Sequence, residues 1–204
     1  MPIVPLTWSE LSLWTESKED WNRRYILGLQ EPANHYMQRG TDIHNMLFTG
    51  FREDEKERYT SDEIRVHDKI LKTAGGLLAG EKWRHELKLE ADLGGIPIKG
   101  YLDGFRPCDL LEVKTGARLW DEEIARKHGQ LHFYDLLLIH NNLQIEQNLL
   151  LSCSTKNGAC VLMDFPVSDE DLSKMIMLIT EAHSWMVKAD LWQRRISSKD
   201  RITV

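Results

Sequence analysis

Apolar residues recur at helical spacing through the first third of the chain. Ser9 is placed to cap a helix whose one side carries Leu11, Trp14, Trp21 and Tyr25, and Pro32 stops it about a turn after Gly28. A second helical stretch is predicted over 40–48. The mixed-charge run REDEKERYTSDE at 52–63 then reads as a loop. A helix capped near Thr60 follows it, carrying Ile64, Val66, Ile70 and Leu71 to a break at Gly75 and Gly76.

From Trp83 the period changes from helical to alternating, which places strands at 83–92, 96–103 and 109–114, parted by Gly94-Gly95 and by a turn around Arg106-Pro107. These three should form an antiparallel meander. Asp121, Glu122 and Glu123 give the acidic first turn of a helix that continues through Ile124, Leu131, Tyr134 and Leu138 to Asn141-Asn142. Strands at 145–153 and 159–165 flank a hairpin turn at Lys156-Asn157-Gly158. Ser168-x-x-Asp171 then opens a last helix with Leu172, Met175, Ile176, Ile179 and Met186 on its buried stripe. This order predicts an α/β fold, a mixed central sheet of about five strands flanked by helices. At 204 residues the chain is expected to be one domain, with a helical part at 1–80, an α/β core at 81–166 and a C-terminal helix at 167–195.

Composition narrows what the fold can do. A formal charge of −6 excludes a basic coat of the kind that wraps nucleic acid, so any positive charge must be local. Three cysteines with no C-x-x-C pair indicate neither a disulfide framework nor a zinc knuckle, and read as apolar fillers in a reducing compartment. The longest apolar runs fall far short of a membrane span and the N-terminus lacks a leader pattern, so no membrane partner is expected and the location expected is cytoplasmic. No coiled coil indicates an oligomer.

Candidate chemistry is concentrated in GYLDGFRPCDLLEVKTG at 100–116. Glu112 and Lys114 lie two apart on one strand and so share a face, while the Arg106-Pro107 turn folds Asp103 back beside them. Two carboxylates held that close repel unless a cation joins them. Mg²⁺ suits such a pair, since it takes hard oxygen ligands and shares its shell with water and phosphate. A lysine beside such a cation can hold or deprotonate an attacking water, which is the chemistry of phosphodiester hydrolysis. A bare E-x-K triplet is ordinarily a pair of solvated charges, and its companions set this one apart.

Those companions are G40-T-D-I-H44, G100-Y-L-D103, E112-V-K114-T-G and Q130-L-H-F-Y134. Together, in this order, they resemble the RecB-like branch of the PD-(D/E)XK nuclease superfamily, over residues 7 to about 165. The resemblance implies a restriction-endonuclease-like core and a metal-dependent DNA exonuclease of stand-alone, phage-encoded type, serving recombination, repair or phage DNA processing in the host cytoplasm. A structure-specific endonuclease on the same site, or a non-catalytic DNA-binding subunit, are the alternatives. It implies that Asp103, Glu112 and the Val113 carbonyl bind Mg²⁺ or Mn²⁺, with His44 as an extra ligand and Glu86 as a further candidate, and that Lys114 is the catalytic lysine. Gln130 and Tyr134 would line the site and contact DNA, single-stranded or at an end. Arg126, one turn before Gln130, is a candidate phosphate contact. Several members of the branch hold an iron–sulfur cluster on four cysteines; with none near Trp21 or after Cys160, no cluster is expected here.

Overall fold

The computed structural model describes residues 4–30, 32, 34–49, 57–78, 83–195, 202 and 203. Thr7 ends a two-residue strand, β1 (Leu6–Thr7), and its hydroxyl accepts from the Glu10 amide at 3.3 Å to start α1 (Trp8–Glu16). The single N-terminal helix expected from the sequence is therefore two. Ser17 is extended and its hydroxyl accepts from the Asp20 amide at 3.1 Å, which ends α1 and caps α2 (Lys18–Tyr25). Next come β2 (Leu29–Gln30), α3 (His35–Thr49) and α4 (Ser61–Leu78). A reciprocal Thr60–Glu63 cap begins α4, which runs through Gly75 and Gly76 rather than breaking there.

The main sheet is built by β3 (Arg84–Asp92), β4 (Pro97–Arg106), β5 (Cys108–Gly116), β6 (Ile145–Ser154) and β7 (Cys160–Pro166), with β1 as a short sixth strand. The antiparallel meander and the β6–β7 hairpin are as expected, and β5 pairs parallel with β6. Between those parallel strands lie α5 (Glu122–Lys127) and α6 (Gln130–His140), two helices where the sequence pattern predicts one. They part at His128-Gly129, where Gly129 is so close to Met175 and Trp8 that a Cβ would sit 2.7 and 2.9 Å from their side chains. The last helix, α7 (Asp169–Lys188), buries Met175, Ile179, Ala182 and Met186, whereas Ile176 faces solvent at 38% exposure. At the C-terminal end β8 (Ile202–Thr203) pairs with β2.

Helices cover both faces of the sheet. One core joins Leu11, Trp14 and Trp21 to Leu102, Leu110, Leu137, Leu150 and Ile179, and the other joins Ile43, Met46, Val66 and Ile70 to Leu111, Val113, Leu149 and Leu151. Alternation along β5 therefore sends Leu111 and Val113 to the α3–α4 side and turns Glu112 and Lys114 toward α6. No helix among the described residues is long and apolar enough to cross a membrane.

One irregularity positions everything that follows. Strand β3 occupies one edge of β4 from Pro97 to Phe105, so β1 and β5 must share the other edge. There β1 pairs with Ile98 and Lys99, and β5 pairs only with Gly104, Phe105 and Arg106. Between them β4 and β5 diverge. Residues 100–103 and 112–114 line the resulting fork.

Candidate active site

Asp103 stands at the point of divergence. Its Oδ2 accepts from the Val113 amide at 2.7 Å, replacing the ladder bond that the parting strands no longer make. The N–H and C=O of one residue in an extended strand leave the same edge, so the Val113 carbonyl opens into the fork as well. Across β3, Glu86 takes the place opposite Asp103, between the paired His85–Gly104 and Leu87–Leu102. Its φ of 50° breaks the ladder at that step, a conformation non-glycine residues rarely adopt.

His44 reaches the same point from α3. Gly40, one turn earlier, lets the helix approach β5 so closely that a Cβ would lie 3.3 Å from the Thr115 carbonyl, and the Thr115 hydroxyl donates to the Gly40 carbonyl at 2.9 Å. That contact is the physical content of the G-x-x-x-H spacing. His44 Nε2 is 3.6 Å from both Glu86 Oε1 and Asp103 Oδ1, and its ring packs on Phe48, which also meets His85. Burial, the largest influence, holds the imidazole below its ordinary pKa and so in the neutral form that ligates metals.

Glu112 is 2% exposed. Its Oε1 accepts from Lys114 Nζ at 2.7 Å, while Oε2 is buried with no hydrogen-bond partner among the described residues. Lys114 Nζ also donates to Gln130 Oε1 at 2.5 Å, and Gln130 Nε2 donates to the Tyr134 hydroxyl at 2.8 Å. The chain Glu112–Lys114–Gln130–Tyr134 thus runs from β5 into the first turn of α6. Gly100 makes room for it, because a Cβ there would lie 2.7 Å from Tyr134 Cε1. Burial, reinforced by the neighbouring Glu112 charge, pushes the Tyr134 phenol up, so it keeps its proton.

The structure therefore brings together His44, Glu86, Asp103, Glu112, Lys114, Gln130 and Tyr134. It does not bring Arg126 to them on one helix face: Arg126 belongs to α5, pairs with Glu122 at 2.6 Å and covers the Phe165 ring. Sequence reasoning missed His128, whose ring is held edge-on between Trp8 at 5.3 Å and Trp120 at 4.7 Å, with Lys114 Nζ 5.7 Å from the Trp120 ring. Nothing in the sequence around His128 marks it; only the helix break beside it places it there. A cavity of about 720 Å³ opens from Lys114, Gln130 and Tyr134 toward Lys99, Tyr101 and Arg24.

The donor set fits a divalent cation. Ligand atoms of His44, Glu86 and Asp103 lie within 4.8 Å of one another, and the partnerless Glu112 Oε2 is a buried acceptor beside them. Burial pushes the Asp103 and Glu112 carboxyls up to about 7, and for Glu112 the Asp103 charge adds to it. Carboxyls in the unfolded chain titrate near 4. Between roughly pH 4 and 7 the native state thus holds protons the unfolded chain has lost, so stability falls as pH rises through that window. In EDTA the melting temperature is expected to drop from pH 5 to pH 8, with Asp103→Asn or Glu112→Gln flattening the slope and millimolar Mg²⁺ or Mn²⁺ reversing it. A melting temperature indifferent to pH and metal would count against this arrangement.

No protein-family model matches the chain, and no curated protein does. Solved structures do. A protein of Eubacterium rectale bearing an exonuclease name superposes with a TM-score of 0.65 at 13% identity, covering 92% of this chain and 82% of that one. The alkaline exonuclease LHK-Exo of Laribacter hongkongensis gives 0.51 at 14% identity, covering 92% and 89%. The fold is shared with these proteins. At such identities the likeness is one of architecture, a mixed α/β sheet flanked by helices.

Proposed function

We propose that this chain is a divalent-metal-dependent deoxyribonuclease of the RecB-like PD-(D/E)XK type, an exonuclease acting on DNA ends. The observation that carries it is the position of Lys114: its ammonium is held between a buried carboxylate and the Gln130 amide, beside a fork lined by two further acids and a neutral imidazole. The exonuclease names of the two proteins that share the fold support it.

In this reading His44, Glu86, Asp103, Glu112 and the Val113 carbonyl hold Mg²⁺ or Mn²⁺. When bound, the cation neutralises charge developing on the phosphate oxygens and acidifies water in its shell. Lys114 holds the attacking water and the scissile phosphate, oriented by Glu112 on one side and Gln130 on the other. The Gln130 amide and the Tyr134 hydroxyl, which stays protonated, contact the DNA strand next to the break. The edge-on Trp8–His128–Trp120 cluster braces the wall behind Lys114, and the cavity past Tyr101 receives an unpaired strand.

The test is end-labelled linear single-stranded DNA, linear duplex and covalently closed circles, each with Mg²⁺, Mn²⁺ or EDTA. Loss of linear DNA alone, in either metal and not in EDTA, is the expected result. Cutting of circles would move the assignment to an endonuclease, and binding without cleavage in every metal would leave a DNA-binding subunit. Because imidazole in the shell suits Mn²⁺, Mn²⁺ should support cleavage at least as well as Mg²⁺, and His44→Ala should blunt the response to both. Unchanged metal dependence in that variant would remove His44 from the site.

A further inference from the structure

Two of the three cysteines face each other. Cys153 on β6 and Cys160 on β7 are direct partners in the antiparallel register, placed symmetrically about the turn in which Gly158 takes a φ of 72°. The Ser154 amide donates to the Ala159 carbonyl at 2.8 Å, so residue 154 turns its hydrogen-bonding edge toward β7. Pairs alternate along such a ladder, which leaves Cys153 and Cys160 in the non-hydrogen-bonded class, where Cα atoms lie about 4.5 Å apart and side chains come closest. A disulfide needs about 4.4–6.8 Å between Cα atoms, so this pair falls inside the window at its short end.

The two thiols differ in environment. Cys153 is fully buried among Ile43, Met46 and Val113, whereas Cys160 is partly exposed at the start of β7. A hydrogen bond from the Cys153 thiol to the Cys160 sulfur holds the Cys160 thiol below its ordinary pKa and raises that of Cys153. Cys108 lies at the far end of the sheet, paired with Ile145, about 26 Å along β6 from Cys153 at 3.3 Å per residue.

We propose that Cys153 and Cys160 are a redox modification site that closes reversibly to an intrachain disulfide when met by a small disulfide oxidant such as oxidised glutathione. The Cys160 thiolate attacks one sulfur of the oxidant, whose S–S bond breaks and releases one glutathione thiolate. The Cys153 thiol then loses its proton to that thiolate or to water and attacks Cys160 sulfur, expelling the second glutathione. Two cysteines lose two electrons together, and one oxidised glutathione becomes two reduced. Cys160 stays partly exposed, so a reducing thiol can reach the product, the property of a labile bond rather than a structural one. None of this rests on the nuclease assignment.

The experiment incubates folded wild-type protein in glutathione buffers of graded oxidised-to-reduced ratio, quenches with acid, then denatures and alkylates. Oxidising buffers should lower the alkylated thiols per chain from three to one, with Cys108 the residue still labelled. Trypsin cleaves after Lys156, so the product should be a linked pair of peptides, one holding Cys153 and the other Cys160, separated by dithiothreitol. Cys153→Ala should instead accumulate glutathione on Cys160, and Cys160→Ala should show no linkage and slow labelling. Three alkylatable thiols at every ratio, a stable glutathione adduct on wild type, or only interchain links would overturn the proposal.

Discussion

Replacing Lys114 by alanine is expected to lower the rate of phosphodiester cleavage by about 10²–10⁴-fold, the range for loss of a positioned proton-transfer group. The ammonium is half-buried and held from two sides, by Glu112 Oε1 and Gln130 Oε1. Its charge also lowers the Glu112 carboxyl, whose pKa should therefore climb in the variant. The residual activity should shift to higher pH and demand more metal. Single-turnover cleavage read beside fluorescence anisotropy separates the chemical step from binding: the rate should collapse while affinity for an end-labelled oligonucleotide changes by only a few fold. Cleavage retained within a factor of three would take Lys114 out of the reaction.

Arg195→Ala should destabilise the fold by about 3–5 kcal/mol, the cost of breaking a buried ion pair. Both Arg195 and Glu10 are buried, and Nη1 of the arginine lies 3.1 Å from each Glu10 oxygen. The guanidinium also donates to the Trp192 and Val4 carbonyls and stacks 3.6 Å from the Trp192 ring. These contacts fasten the residues that follow α7 to α1 and to Val4, just before β1. Urea unfolding measures the loss, with Arg194→Ala as the matched control: that neighbour is exposed, and its removal should change stability by no more than about 0.5 kcal/mol. Glu10→Gln combined with Arg195→Met should recover part of the stability, because the pair then leaves no charge behind. Equal effects of Arg194→Ala and Arg195→Ala would contradict the buried pairing.

The contrast between those two arginines shows what the sequence carried and what it did not. In W192-Q-R-R195 the two arginines are adjacent and alike, and a contact across 185 residues distinguishes them. Features set by near neighbours were legible: alternation along β3 to β5, the turn at Arg106-Pro107, the cap at Ser168, and the placement of Asp103, Glu112 and Lys114 on adjoining strands. The helix breaks at Ser17 and at His128-Gly129 were not, since the apolar period runs on through both; what interrupts it is the Ser17 cap in the first case and the close packing of Trp8 and Met175 on Gly129 in the second. The same holds for Glu86, whose residue type the sequence offered but whose φ of 50° it could not. The Cys153–Cys160 pairing was latent in the hairpin's symmetry, yet counting cysteines and looking for C-x-x-C passes over it.

Asp103 does two jobs with one carboxylate, and that governs how the fork can be dissected by substitution. One oxygen completes the sheet where β4 and β5 separate, by accepting from the Val113 amide, and the other faces His44. Asp103→Ala would therefore orphan a buried backbone donor as well as remove a candidate ligand, at about 1–3 kcal/mol for the donor alone. An inactive alanine variant would confuse a loosened fork with lost chemistry. Asp103→Asn keeps an acceptor for Val113 while abolishing the negative charge, so it is the substitution whose loss of activity speaks to catalysis. At this residue scaffold and candidate ligand share one carboxylate, and only an isosteric change can tell them apart.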